Sequence, residues 1–311
     1  MRILVTGGAG FIGGHLVERL AGEGHELLVV DDLSTGSVEH LPPPARLVES
    51  DFAAPAALAA VAAFRPAALV HLAAQIDAAA SVLDPLADAR TNVLSTLALL
   101  EACRALEARP RVVFASSAAV YPEGVPLPAR EAAAGSPATP YGVAKLAVEH
   151  YLACYRSAHR LSSLALRFAN VYGPRQGARA EGGVVAIFAR ALASDRRARI
   201  FGDGRQTRDF VHVADVVDAL VRALGSAAQG SFNVSTAVET DVRTVFALLA
   251  GRLRPGAEPE RAPPRPGDVA RSALSYDAAA SGLGWRPTVA LAEGLAGTAD
   301  WFLGRSGKDP R

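Results

Sequence analysis

The sequence predicts an α/β protein with a doubly wound parallel sheet and a smaller C-terminal lobe. Between residues 2 and 166, short apolar runs rich in β-branched residues alternate with helix-like segments. Such alternation is typical of a parallel sheet with helices on both faces. A glycine-rich turn joins the first run to the first helix, which favours a sheet of the Rossmann type. Past Leu166 the pattern loosens into short runs, glycine turns and proline-rich connections.

The composition suits a globular chain of two lobes. Its 311 residues exceed one typical domain but leave room for only one large α/β unit and a smaller lobe. Hydrophobic residues make up 50% of the chain and charged residues 20%, which is enough apolar material for a sizeable core. The net charge of +1 offers no basic surface to a nucleic acid partner.

The cysteines and the apolar runs indicate the compartment in which the protein is expected. Cys103 and Cys154 are the only cysteines, and both fall in helix-like segments. We therefore expect free thiols in a reducing compartment rather than a disulfide, and no metal site. The chain starts directly with a strand-like run, and no apolar run is long enough to cross a bilayer. A cytoplasmic protein without a membrane partner is expected.

The first predicted strand runs into glycines spaced G-x-x-G-x-x-G. These are Gly7, Gly10 and Gly13, with Phe11 and Ile12 between the last two. Glycine lets the backbone approach a pyrophosphate closely, and the following helix directs its free N–H groups at the charge. Turns also use glycine for positive φ, so the spacing gains its weight from its place between strand and helix. It predicts a dinucleotide site.

An acid at the end of the second predicted strand indicates which dinucleotide binds. Asp31 lies about 20 residues past the glycines, where a carboxylate accepts hydrogen bonds from a ribose diol and repels a 2′-phosphate. NAD is therefore favoured over NADP. A turn over residues 31–36 would also explain this aspartate. Asp51 and Phe52 fall in a later loop, where adenine can lie against the phenyl ring and hydrogen-bond to the carboxylate.

The later elements follow the same alternation. We expect a short strand near 47–48, a helix over 56–63, a strand over 68–72, a helix over 92–106, a strand over 111–115 and a helix that starts near Tyr141. The carboxyl ends of parallel strands meet at the crevice where such a sheet binds its ligand. Ser116 and Ser117 lie at one of these ends.

A tyrosine and a lysine four residues apart form a candidate base. Tyr141 and Lys145 would project from one face of a helix, one turn apart. A nearby ammonium favours the phenolate and brings the pKa of a phenol from about 10 toward the neutral range. Taken alone, the spacing equally fits a half-buried aromatic beside a solvated charge, and only the other motifs favour a catalytic pair.

The two lobes are predicted to meet near residue 168. We assign 1–168 to the NAD-binding sheet and 169–311 to the smaller lobe, with 209–226 returning to the sheet. A proline-rich connection over 261–267 belongs to the smaller lobe. Residues from Gly304 onward are polar, and chain ends of this kind fray.

Together these motifs identify a resemblance that runs from Met1 to about Leu303. The glycine loop, Asp31, Ser116-Ser117, Tyr141-x-x-x-Lys145 and the run 167–174 resemble the extended short-chain dehydrogenase/reductase family. Within that family, the chain is most similar to nucleotide-sugar 4-epimerases of the UDP-galactose and UDP-glucose type. The resemblance implies a bound NAD, a UDP-sugar substrate and a homodimer.

The resemblance also implies roles for individual residues. Tyr141 resembles the catalytic base, Lys145 the residue that binds the nicotinamide ribose and lowers the tyrosine pKa, and Ser117 the hydroxyl that binds the sugar O4. The segments that line the cofactor in the family match His71, Leu72, Ala73, Ala74 and Asn92. The substrate ligands match Asn170, Val185, Phe201, Arg208, Arg265, Asp268 and Ser272. Arg265 equally fits a surface charge in its proline-rich loop.

The activity implied is interconversion of UDP-glucose and UDP-galactose through a 4-keto intermediate. Family relatives that eliminate or decarboxylate carry acids where this chain has Ala118 and Ala119, and methyl groups cannot transfer protons. A UDP-glucuronate 4-epimerase is the nearest alternative, and a non-catalytic NAD-binding sensor or scaffold is a second. Pro122 stands where the family commonly has glycine, which leaves the substrate contacts of its loop open.

Two finer expectations concern the substrate and the assembly. Ser272 matches a position that looks like a size gate beside the sugar, and a small residue there predicts that N-acetylhexosamines are accepted; an ordinary strand residue is the alternative. Segments 92–106 and 141–155 carry apolar residues around more of their circumference than one sheet contact needs. These residues are Val93, Leu97, Leu100, Leu146, Leu152 and Tyr155. They fit either a dimer interface of paired helices or a larger core.

Overall fold

The computed structural model describes residues 1–177, 183–265 and 267–305. Its strands are β1 (Arg2–Thr6), β2 (Glu26–Asp31), β3 (Arg46–Glu49), β4 (Ala68–His71), β5 (Arg111–Ser117), β6 (Ser163–Phe168), β7 (Asn170–Tyr172), β8 (Arg199–Phe201), β9 (Thr207–His212), β10 (Gly230–Val234), β11 (Glu239–Asp241) and β12 (Glu260–Ala262). Its α-helices are α1 (Phe11–Gly22), α2 (Pro55–Phe64), α3 (Ala78–Leu83), α4 (Pro85–Ala89), α5 (Ser95–Ala105), α6 (Pro140–His159), α7 (Val184–Ala193), α8 (Val213–Gly225), α9 (Val242–Leu253), α10 (Asp277–Leu283) and α11 (Leu291–Arg305).

Seven parallel strands form the main sheet, in the order β10-β6-β5-β4-β1-β2-β3. β1 lies between β2 and β4, with Val5 opposite both Val29 and Val70. The strand order therefore reverses at β1, and a crevice opens there at the carboxyl ends. The predicted doubly wound parallel sheet is confirmed.

Both faces of the sheet are covered because the strands are apolar on both sides. One buried core lies beneath α1, α8 and α10 and includes Leu16, Leu220 and Trp285. The other lies beneath α2, α5 and α6 and includes Leu99 and Val148. The predicted helix over 92–106 is interrupted, because Arg90–Leu94 forms a π-helical turn before α5 starts.

The smaller unit is built from two short sheets and three helices. β7, β9 and β11 form a three-stranded sheet, and β8 pairs with β12. Helices α7, α9 and α11 bury a separate core with these strands, in which Phe188 stacks edge to face on Phe246. This unit borders the crevice through β7 and the start of α7.

Elements of the main sheet and of the smaller unit alternate along the second half of the chain. α8 packs on the main sheet, in line with the expected return of 209–226, but β9 before it lies in the small sheet. β10 and α10 also belong to the main sheet and its core, although the prediction placed 230–234 and 277–283 in the smaller lobe. β10 is a five-residue edge strand that begins Gly-Ser, and so short a run gives little periodicity to read. A division of the chain at residue 168 stays a prediction.

Two further features of the described residues concern membranes and metals. None of the described helices has both the length and the apolarity needed to cross a bilayer. Within the same part of the chain, no three or more His, Cys, Asp or Glu side chains group closely enough to hold a metal ion. Cys103 is a buried free thiol and Cys154 an exposed one.

Candidate active site

The start of α6 places Tyr141 and Lys145 at the crevice. Thr139 caps the helix by accepting a hydrogen bond from the Gly142 amide at 3.2 Å, and Pro140 occupies the first turn. The backbone amide of Tyr141 donates to the buried Ser81 hydroxyl at 3.1 Å. These contacts fix the first turn, and the four-residue spacing then turns both side chains toward the same cavity.

Lys145 is almost fully buried. Its Nζ donates to the Ala115 carbonyl at 2.9 Å and lies 4.8 Å from the centre of the Phe114 ring and 5.7 Å from that of Tyr141. Burial lowers the pKa of Lys145 to about 8, while the charges of Asp88 and Glu149 raise it. The ammonium form therefore predominates at neutral pH.

Ser117 ends β5 beside the tyrosine hydroxyl. Its Oγ accepts the Ala119 amide at 3.1 Å. Burial raises the pKa of Tyr141 to about 12, a hydrogen bond with Ser117 lowers it, and the charge of Asp88 raises it. The sequence prediction that Lys145 brings this pKa toward neutrality is thus not met by the protein's own groups. Burial is the largest cause of the raised pKa, and the Lys145 ammonium is directed at the Ala115 carbonyl.

These three side chains line a cavity of about 720 Å³ at the carboxyl ends of the main strands. Every predicted residue of the glycine loop lines it, as do most of the other predicted cofactor ligands. They are Gly7, Gly10, Phe11, Ile12, Gly13, Asp31, Asp51, Phe52, Leu72, Ala73 and Ala74. The cavity is large enough for an extended dinucleotide to enter in part, with a second ligand beside Tyr141.

The glycine loop forms a cradle that side chains would fill. Gly7 has φ +70°, and a Cβ there would lie 2.7 Å from the Ala73 amide nitrogen. A Cβ on Gly13 would lie 2.0 Å from the Gly7 carbonyl oxygen. Gly10 precedes the first residue of α1, so the free amides of that helix face the cavity. The cradle fits a pyrophosphate.

Asp31 is buried at the end of β2. One carboxylate oxygen accepts the Ala9 amide at 2.8 Å, and the other accepts the Leu33 amide at 2.9 Å. Each oxygen keeps a lone pair, so the carboxylate can still accept from a ribose diol. Asp51 is exposed and caps the Ala53 amide at 2.7 Å, while the Phe52 ring packs edge to face on His71 at 4.9 Å.

Asn92 does not line the cavity, contrary to the expectation that it contacts the cofactor. Its amide donates to the Gln75 carbonyl and to the Asp88 carboxylate and accepts from the Gln75 amide, each at 2.9 Å. It therefore holds the lining segment 72–77 from behind. The four-residue spacing fits the contact with Asp88, but no spacing marks Gln75, which lies 17 residues away.

The predicted substrate ligands divide into two sets. Asn170 and Val185 line the cavity. Arg208 pairs with Asp268, and the Arg265 guanidinium lies 3.9 Å from the centre of the Phe201 ring. These four residues and the half-buried Ser272 lie outside the cavity lining.

Several residues at or near the cavity were not predicted from the sequence. Gln75, Ile76 and Asp77 line the cavity directly after β4, and the rule that ligands bind at strand ends would have found them. Buried Glu149, four residues past Lys145 on the same helix, pairs with buried Arg167 at 2.6 Å. The repeated four-residue spacing was the available signal for that glutamate.

The fold and cavity define the class of dinucleotide-binding α/β proteins. Residues 3–235 match the family model for the NAD dependent epimerase/dehydratase family. The chain belongs to that family, and its extended short-chain dehydrogenase/reductase architecture is confirmed.

Among its relatives, a UDP-glucose 4-epimerase of Mycolicibacterium smegmatis is 46% identical and covers 98% of this chain and 100% of its own. The solved UDP-glucose 4-epimerase of Thermotoga maritima, with UDP-glucose, is 41% identical with a TM-score of 0.94 over 97% of this chain and 98% of its own. The Thermus thermophilus UDP-glucose 4-epimerase, in complex with NAD, is 42% identical with a TM-score of 0.91 over 98% of this chain and 99% of its own.

Proposed function

We propose that this chain is an NAD-dependent UDP-hexose 4-epimerase that interconverts UDP-glucose and UDP-galactose, together with their N-acetyl forms. The observation that carries the proposal is the convergence of Ser117, Tyr141 and Lys145 on a cavity that also contains the glycine cradle. The full-length similarity to UDP-glucose 4-epimerases supports the same activity.

The residues present fit NAD. The glycine cradle and the start of α1 suit its pyrophosphate, Asp31 its adenosine ribose, and Lys145 its nicotinamide ribose. When bound, NAD⁺ supplies reversible hydride acceptance at the sugar C4, so that no net oxidation occurs over a turnover.

Tyr141 handles the proton of the sugar O4 hydroxyl in this proposal. The protein's own groups leave its pKa at about 12, so the phenol keeps its proton at neutral pH until a further positive charge is close. The nicotinamide ring of NAD⁺ carries such a charge, and the nearby Lys145 ammonium adds to it. Ser117 hydrogen-bonds the same phenol and is placed to hold the sugar hydroxyl in line with it.

The two positions directly after Ser117 carry no side chain that could donate a proton for an elimination. Ala118 and Ala119 form the short turn directly after Ser117. Their methyl groups cannot deliver a proton to a leaving hydroxyl at C6. The 4-keto sugar is therefore expected to return to a 4-hydroxy product rather than to lose water.

The nucleotide part of the substrate is assigned to the smaller unit. Asn170 and Arg208 are the proposed diphosphate ligands. Arg265 and Asp268 are the proposed phosphate and ribose ligands, and Val185 and Phe201 lie beside the base in this proposal. Asp268 now neutralises Arg208, and phosphate binding to that arginine requires the pair to open or to be shared. We propose that Asp268 then turns to the uridine ribose.

One assay panel distinguishes the candidate activities. Purified protein is mixed with NAD and, separately, with UDP-galactose, UDP-N-acetylglucosamine and UDP-glucuronate, and the products are followed by NMR. We expect 4-epimers of the hexose and of the N-acetylhexosamine. Turnover of UDP-glucuronate alone would favour the uronate epimerase, and NAD binding without any turnover would favour a sensor or scaffold. A stable 4-keto-6-deoxy product would contradict the proposal.

We also propose a homodimer in which the helices of segments 92–106 and 141–155 pair, with α3 and α4 beside them. Of the predicted interface residues, Leu100 and Leu152 are buried in the core, whereas Val93, Leu97, Leu146 and Tyr155 are half-buried. Further exposed apolar side chains lie on α3, α4 and α6 and on the π-helical turn before α5. They are Val82, Leu83, Leu86, Leu94, Val143 and Tyr151. Covering these side chains would remove exposed apolar surface from water.

Light scattering tests the dimer with a matched pair of variants. Val82 and Val238 are both 58% exposed, but only Val82 lies on the proposed interface. Val82→Glu should shift the mass toward a monomer at micromolar concentration, and Val238→Glu should not. A monomeric parent protein would rule the dimer out.

A cytoplasmic location stays a proposal, supported by the buried free thiol of Cys103.

A further inference from the structure

Asp88 is a buried carboxylate behind the wall of the cavity. It lies on α4 and is 1% exposed. Its Oδ1 accepts hydrogen bonds from the Gln75 side chain and the Asn92 side chain, both at 2.9 Å. Its Oδ2 has no hydrogen-bond partner among the described residues. A carboxylate held in this way is costly to bury, which suggests a role beyond packing.

The first part of that role is mechanical. Gln75 also donates to the Asp77 carbonyl at 2.9 Å, and its backbone exchanges two hydrogen bonds with the Asn92 amide. Asp88 thus clamps two side chains that fix the course of segment 72–77. That segment forms the cavity wall next to the glycine cradle.

The second part is electrostatic. The titratable groups that interact with Asp88 are Lys145 and Tyr141 on α6. Glu149 and His71 interact with Lys145 in turn. The negative charge of Asp88 raises the pKa of both Tyr141 and Lys145. Burial lowers the pKa of His71 to about 3, so its imidazole is neutral at neutral pH.

We propose that Asp88 is a positioning residue for the epimerase reaction: it clamps segment 72–77 through Gln75 and Asn92 and places a negative charge behind Tyr141 and Lys145. The inference rests on the proposed function for its kinetic part. The charge of Asp88 is then expected to set how kcat/KM falls on the acid side of the pH profile. The hydrogen bonds with Gln75 and Asn92 are expected to set the affinity for NAD.

Two variants separate the charge from the clamp. Asp88→Asn keeps an oxygen for both donors and removes only the charge. We expect the ratio of kcat/KM at about pH 6 to that at about pH 8 to rise roughly 3- to 10-fold, because the phenolate forms at lower pH without the opposing charge. NAD affinity should change by less than about 3-fold. Gln75→Leu keeps the carboxyl group of Asp88 and breaks the clamp, so it should weaken NAD binding about 10-fold, with a smaller change in the pH profile than Asp88→Asn causes.

A spectroscopic readout makes the inference independent of turnover. The near-ultraviolet absorbance of the NAD-loaded protein, compared with a Tyr141→Phe variant, reports ionisation of that phenol directly. In Asp88→Asn the phenolate should appear at lower pH, whereas Glu107→Gln, which removes an exposed carboxylate beyond α5, should leave the titration unchanged. If the parent protein binds NAD but epimerises nothing, the proposed function fails and this titration still decides the role of Asp88.

The proposal would be overturned if Asp88→Asn and the parent showed the same Tyr141 titration and the same pH profile of kcat/KM. A shift of either curve to higher pH in Asp88→Asn would also overturn it. Circular dichroism checks that the variant folds. If it does not, Asp88→Ser is measured against the same criteria. If neither neutral variant folds, Asp88 is a structural residue and the proposal is wrong.

Discussion

Gly142 and Ala119 lie so close that a Cβ on Gly142 would be 2.2 Å from the Ala119 carbonyl oxygen. This contact seats the first turn of α6 on the short turn that follows Ser117. The hydrogen bond between Ser117 and Tyr141 depends on that fit, because the two side chains come from different elements.

Gly142→Ala should therefore reduce turnover much more than it reduces folding. A methyl group would push Tyr141 away from Ser117, and a displacement of this size lowers rates on the order of 10²-fold. Gly135→Ala is the matched control, since a Cβ there meets no atom within 4 Å. Steady-state kinetics and thermal unfolding of both variants check the prediction, and equal turnover in the two would contradict it.

Asp31→Asn should weaken NAD binding and reduce the preference for NAD over NADP. Both carboxylate oxygens accept backbone amides, so an amide NH₂ would face a donor and lose a charged hydrogen bond worth about 1.5–3 kcal/mol. We expect an affinity for NAD roughly 10- to 100-fold lower by calorimetry. Glu107→Gln, at an exposed carboxylate outside the cavity lining, is the control. An unchanged ratio of NAD to NADP affinity would count against the ribose role of Asp31.

The features that could be predicted from the sequence are those that depend on local spacing. The strands around Val5 and Val70, the glycine loop and the helical face of Tyr141 and Lys145 follow from runs and intervals within a few residues. The shared lining of one cavity follows because parallel strands end at one edge.

Contacts between distant segments could not be read in this way. Arg208 pairs with Asp268 across 60 residues of sequence, and no interval in the sequence marks the two as partners. Asn92 was expected at the cofactor because a motif matched, but the π-helical turn around it directs its amide to Gln75. The pKa of Tyr141 likewise depends on burial, which no four-residue spacing specifies.

His71 should make the fold less stable as pH falls. The hydroxyl of Thr96 donates to the Asn92 carbonyl, so it accepts from His71 Nε2, and His71 Nδ1 accepts from Thr6. Burial, with a contribution from the charge of Lys145, lowers the pKa of this imidazole from 6.5 to about 3. Between these values the unfolded chain binds a proton that the folded protein does not. Stability is therefore present above about pH 6.5 and lost at about 1.4 kcal/mol per pH unit below it.

Denaturant unfolding at several pH values tests this contribution. His71→Gln retains one donor and one acceptor without the titration, so its stability should fall less steeply than that of the parent between about pH 6 and pH 4. His150→Gln, at an exposed position on α6, should follow the parent. Parallel pH dependences for His71→Gln and the parent would remove His71 as the cause.

Ser272→Tyr should select against N-acetylated substrates. The half-buried serine leaves room that a phenol ring would occupy, and steric exclusion of an acetamido group does not require lost hydrogen bonds. We expect kcat/KM for UDP-N-acetylglucosamine to fall at least about 10-fold relative to UDP-glucose. Ser272→Ala, which stays small, should preserve the ratio. Equal losses on both substrates would exclude Ser272 as the gate.

The most direct test of the central claim is the turnover of UDP-galactose by Tyr141→Phe. The phenol hydroxyl is the group placed to move the O4 proton, and proton transfer by a positioned side chain contributes about 10²–10⁴-fold. In Tyr141→Phe we expect kcat to fall by at least about 10²-fold, while calorimetry gives an NAD affinity within about 3-fold of the parent. Turnover close to that of the parent, with NAD bound equally well, would contradict it.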